Sequence, residues 1–99
     1  MPMVRISARA DADIDSIAKY SAETWGHLQA DVYLTELQAG LDFLAQNPLM
    51  GRACDSIQPG LRRYEVEKHV VFYRIVADGI RVVRVLHQRM LPFRARFGR

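Results

Sequence analysis

The 99-residue chain has one cysteine, Cys54. A single thiol excludes an internal disulfide and any cysteine-rich metal centre, and reads as an unreactive loop thiol. No apolar run approaches the roughly 20 residues needed to span a bilayer. Met1-Pro2-Met3-Val4-Arg5 lacks the long apolar core that follows the charges of a secretory leader. These absences predict a cytoplasmic protein with no membrane partner. His27, His69 and His87 have no metal-ligand spacing, and the isolated Gly51, Gly60 and Gly79 make no phosphate loop. No nucleophile motif surrounds Ser7, Ser16, Ser21 or Ser56. No metal or cofactor is implied. Acidic residues also stop: from Gly79 onward the only charged side chains are Arg81, Arg84, Arg89, Arg94, Arg96 and Arg99.

What is present is a hydrophobic share of 49%, ample for one packed core, and the length predicts a single domain over residues 1–99. Charge is divided between the halves. Residues 1–50 hold three basic against seven acidic side chains, a net of −4, and residues 51–99 hold eleven against four, a net of +7. A basic second half predicts an acidic partner, either nucleic acid or an acidic protein segment; the competing reading is a solvated edge that protects a sheet from aggregation.

Periodicity orders the elements. Val4-Arg5-Ile6 is a short strand, and Ser7 stands where a helix N-cap belongs, with Asp11, Asp13 and Asp15 near the positive end of the helix dipole. Ile14, Ile17, Ala18, Ser21 and Trp25 form one stripe expected to be buried, and Gly26 ends that helix. A second helix carries Ala30, Tyr33, Leu34, Leu37, Leu41 and Leu44 on one face until Asn47-Pro48 stops it. So tight a junction predicts an antiparallel helical hairpin. Residues 49–60 have no clear period and read as loop. Three β-rich runs then follow, 61–66, 69–76 and 80–90, with a turn at Asp78-Gly79. The fold class is α+β: a short N-terminal strand, then an antiparallel helical hairpin packed on a C-terminal three-stranded antiparallel meander. Arginines inside these strands need solvent or a partner, because an unpaired buried cation is prohibitive.

Several segments, in this order and spacing, carry a family resemblance. They are Ala10-Asp11-Ala12-Asp13-Ile14, Tyr20 through Trp25-Gly26, Asn47-Pro48-Leu49-Met50-Gly51, His69-Val70-Val71-Phe72-Tyr73-Arg74, and Arg84-Val85-Leu86-His87-Gln88-Arg89-Met90. The chain resembles the ParE branch of the RelE/ParE toxin–antitoxin superfamily over nearly its whole length. The resemblance implies a toxin of a type II system that inhibits DNA gyrase by binding it and so blocks replication. It also implies neutralisation by a cognate ParD-like antitoxin with an acidic tail, in a 1:1 pairing that dimerises further. DNA would be touched only through the antitoxin or the gyrase complex. Two alternatives stand on the same fold: a ribosome-dependent mRNA endonuclease, as in the RelE branch, or a homologue that has lost toxicity and only binds antitoxin.

A nuclease needs a base, an acid and cations on the phosphorane, for which His69, His87, Tyr73, Arg62, Arg63, Lys68, Arg74 and Arg84 are candidates. Against that reading, Glu65 and Glu67 dilute the central cations, and the helical half is net acidic. The resemblance therefore places target binding on Arg84, His87, Arg89 and Met90, extended by Phe93, Arg94, Arg96 and Phe97. The two phenylalanines share a face if the tail is helical, with an arginine rim of hot-spot composition, or else fold back over the sheet. Antitoxin contacts are expected at Tyr33, Leu37, Leu41, Arg62, Arg74 and Arg81. The expected protein is not an enzyme.

Overall fold

The computed structural model describes residues 2–89. Its elements are β1 (Met3–Ile6), α1 (Ala8–Trp25), α2 (His27–Gln46), β2 (Arg52–Ala53), β3 (Arg62–Val66), β4 (His69–Val76) and β5 (Gly79–His87). They form a five-stranded sheet in the order β1-β5-β4-β3-β2, with β1 parallel to β5 and every other pair antiparallel. The expected hairpin and meander are both present. Two features go beyond the expectation: β1 joins the meander as a parallel edge, and the segment expected to be loop contributes the two-residue β2.

Ser7 starts α1 as the sequence suggests. Its hydroxyl accepts from Ala10 N–H at 3.0 Å and donates to the Val83 carbonyl at 2.9 Å, so one side chain caps the helix and fastens it to β5. Gly26 separates the helices at φ +90°, a backbone setting that side chains with a Cβ resist. The β4–β5 turn falls at Ala77-Asp78, one residue earlier than expected, and Gly79 opens β5. A Cβ on Gly79 would lie 2.0 Å from the Met3 carbonyl oxygen, so the missing side chain is what lets β1 pair there.

The hairpin lies on one face of the sheet. Ala10, Ile17, Leu37, Leu41 and Leu44 pack against Val71, Tyr73, Ile80, Val82 and Val85. The opposite face carries a smaller cluster of Leu61, Val70, Phe72, Val83 and Leu86 with Cys54. Burial pushes the Cys54 thiol pKa up, as expected of an unreactive group. Phe72 pairs with Arg84 while Tyr73 pairs with Val82, so Val83 is an extra residue in β5. This bulge bends the strand where Arg84 meets α1.

Trp25 departs from the expected buried stripe: it is 63% exposed. It is the last residue of α1 before the Gly26 turn, and helical spacing alone cannot tell whether the packing partner extends that far.

Candidate functional site

The sheet edge at β5 is where the helical and strand halves meet. β1 pairs with β5 only as far as Val82. Beyond it, α1 replaces the missing strand: Ser7 Oγ takes the Val83 carbonyl, and Asp13 Oδ2 accepts from Val85 N–H at 3.0 Å. The same carboxylate holds the Arg84 guanidinium at 2.8 and 3.0 Å. Arg84 and Asp13 are both mostly buried, and the hydrogen bond to Asp13 raises the Arg84 pKa further.

Past this clamp the hairpin stands away from the strand ends and leaves an open groove of about 900 Å³. Tyr20, Ser21 and Trp25 of α1, Tyr33 and Glu36 of α2, the Glu67-Lys68 turn, His69 of β4 and His87 of β5 line it. His69 and His87 are register partners, with ring centroids 5.3 Å apart and planes at 81°. The Tyr33 hydroxyl bonds His69 Nδ1, and Arg89 N–H donates to His87 Nδ1 at 3.1 Å. Burial, reinforced by His87, lowers the His69 pKa to about 4. Burial, with the Glu67 charge next in size, pushes the Tyr33 hydroxyl up to about 12. At neutral pH the Tyr33–His69 pair is therefore uncharged, and the Tyr33 hydroxyl also donates to the Val66 carbonyl at 3.4 Å.

The candidate residues divide by placement. Arg84 is locked to Asp13, His87 lines the groove half-buried, and Arg89 is exposed. Met90, Phe93, Arg94, Arg96 and Phe97 lie outside the described residues. Of the expected antitoxin contacts, Tyr33 lines the groove and Arg81 is exposed. Leu37 and Leu41 are 2% and 1% exposed, facing the sheet, so as placed here they offer no surface to a partner. Helical spacing marks an apolar face without saying what covers it. Arg62 Nη2 donates to the Gly51 carbonyl at 2.5 Å and to that of Leu49 at 3.2 Å. Arg74 straps the 58–60 loop down through Gln58 Oε1 and the Pro59 carbonyl. Tyr73 is fully buried; its hydroxyl donates to the Pro48 carbonyl at 2.7 Å and accepts from Gly51 N–H at 2.9 Å. The groove residues Ser21, Trp25, Glu36 and Glu67 were not anticipated as a site. Among the described residues, no group of three His, Cys, Asp or Glu side chains could hold a metal ion, and no helix is long and apolar enough to cross a membrane.

A helical hairpin thus lies on a mixed five-stranded sheet, clamped at β5 and open at the strand ends. The structure resembles that of a chain from the chromosomal ParDE TA system of P. aeruginosa, with a TM-score of 0.75 and 21% identity over 88% of this chain and 96% of that one. Residues 4–92 match the family model described as ParE toxin of type II toxin-antitoxin system, parDE. Toxin ParE1 of Mycobacterium tuberculosis is 48% identical over 86 residues, covering 86% of this chain and 88% of the relative. Toxin ParE1 of Caulobacter vibrioides is 46% identical over 92 residues, covering 91% and 93% respectively. The chain belongs to the ParE toxins of type II toxin–antitoxin systems.

Proposed function

We propose that this chain is a non-enzymatic cytoplasmic toxin that binds DNA gyrase, blocks replication, and is held inactive by a ParD-like antitoxin. The observation that carries the reading is the engagement of the side chains a nuclease would need. Tyr73 is enclosed in the core, Arg62 and Arg74 brace loop carbonyls, and Arg84 is tied to Asp13. A phosphorane needs cations aimed at an open site, and a base free to take a proton. His69 already spends Nδ1 on Tyr33, and His87 spends Nδ1 on a backbone N–H. The groove rim also carries Glu36 and Glu67, which repel a polyanion.

Target binding is assigned to Arg84, His87, Arg89 and the segment holding Met90, Phe93, Arg94, Arg96 and Phe97. Because Arg84 is clamped, it acts in this reading by fixing the strand from which His87 and Arg89 project. The antitoxin reading is supported by the family and by the structural neighbour, a chain of a ParDE system. Its acidic groups would meet the exposed Arg81 and the arginines around β3 and β4. The test is to induce the chain alone and follow DNA, RNA and protein synthesis. DNA damage with filamentation is expected. Rapid translational arrest would indicate a nuclease, and unchanged growth an inert binder.

A further inference from the structure

Ser21 has a place in the groove that the toxin reading does not use. It is 8% exposed and lines the groove. A hydroxyl in a groove wall can accept a hydrogen bond from a cationic ligand.

The chemistry around Ser21 specifies that ligand. Tyr20, Trp25 and Tyr33 supply electron-rich ring faces. Glu36 and Glu67 enter from different elements, and both charges act on the Tyr33 hydroxyl. Neither carboxylate has a cation within ion-pair distance among the described residues, whereas Asp13 is already satisfied by Arg84. Among the described residues, Lys68 is the one lysine or arginine in the lining. Free carboxylates beside aromatic faces select a cation and reject an anion.

We propose that this groove receives a basic side chain, arginine or lysine, presented by a segment of a partner protein. Its charged end lies between the aromatic rings and the two glutamates and donates to Ser21 Oγ. A chain-borne cation fits better than a free one because exposed apolar side chains follow the groove residue Trp25 closely in the chain. Trp25 is followed on α2 by Leu28, 85% exposed, and Val32, also exposed and one turn further on. A small cation would leave that surface wet, and a peptide covers it. The identity of the partner as the antitoxin rests on the reading above. On that reading, the antitoxin meets the arginine-bearing strands with acidic groups and this groove with a basic one.

The test uses the ¹⁵N-labelled full chain and three hexapeptide amides, acetyl-Leu-Ala-Xaa-Ala-Leu-Ala with arginine, citrulline or glutamate at Xaa. The arginine peptide is expected to shift the Trp25 indole N–H and the His69 and His87 ring signals saturably. Citrulline should bind at least five-fold more weakly, and glutamate should leave these signals in place. Because Glu36 and Glu67 are exposed, the double variant Glu36→Gln/Glu67→Gln should keep its fold and lose at least five-fold in affinity for the arginine peptide. Equal binding of arginine and citrulline, no saturable shift, or an unchanged affinity in the double variant would each overturn the proposal. The peptides require neither gyrase nor antitoxin, so a chain that proves non-toxic leaves this result to be judged separately.

Discussion

Asp13 and Arg84, 71 positions apart in the chain, make a two-pronged ion pair that also occupies the Val85 N–H. One carboxylate thus neutralises a nearly buried cation and closes a strand edge that β1 no longer covers.

Asp13→Ala leaves both Arg84 and the Val85 N–H without this partner. Removing one member of a buried pair costs about 3 kcal/mol. Asp13→Asn retains an acceptor for Val85 and should lose roughly half as much. Urea denaturation of the two variants measures the difference.

Tyr73→Phe removes the hydroxyl that links the Pro48 carbonyl to the Gly51 N–H. A buried N–H and a part-buried carbonyl lose their partner, a destabilisation of about 1–3 kcal/mol. The variant should remain as toxic per folded molecule as the parent, because Tyr73 does not reach the surface. A growth assay normalised to soluble toxin checks this.

Gly79→Ala places a Cβ against the Met3 backbone. The substitution should cost about 3 kcal/mol or detach β1 from the sheet. Rapid hydrogen exchange at the Met3 and Ser7 amides, which bond Asp78 and Val82 carbonyls, would report detachment.

Stability should fall as the solution is acidified from about pH 6.5 to about pH 4. The native His69 pKa lies below its unfolded value, so the unfolded chain binds the proton first across that interval. Above pH 6.5 both states are neutral at this ring and it contributes nothing to the slope. Solvent screening of a half-buried ring reduces the effect to about 1 kcal/mol. His69→Gln should flatten the slope in thermal melts taken across this range.

Much of the architecture was legible because local rules governed it. The Ser7 cap, the Gly26 break, the Asn47-Pro48 stop and the alternating strands each declare themselves within a few residues. What escaped was set by distant partners. The parallel pairing of β1 depends on the bare Cα of Gly79, and β2 is two residues long. The Val83 bulge shifts the register by one and brings His87 opposite His69; a regular hairpin turning at Ala77-Asp78 would have placed Leu86 there. Leu37 and Leu41 show the same limit from the other side, since one apolar stripe serves core and interface alike.

Purified gyrase gives the most direct measurement. Relaxed plasmid, ATP and gyrase are incubated with increasing amounts of the full chain, and supercoiling and cleaved DNA are followed together with the integrity of an added RNA. A docking toxin lowers supercoiling and accumulates cleaved plasmid while the RNA stays whole, and removal of residues 90–99 weakens the effect. Supercoiling that proceeds unchanged in excess toxin, or RNA cut in a manner lost on His87→Ala, would contradict it.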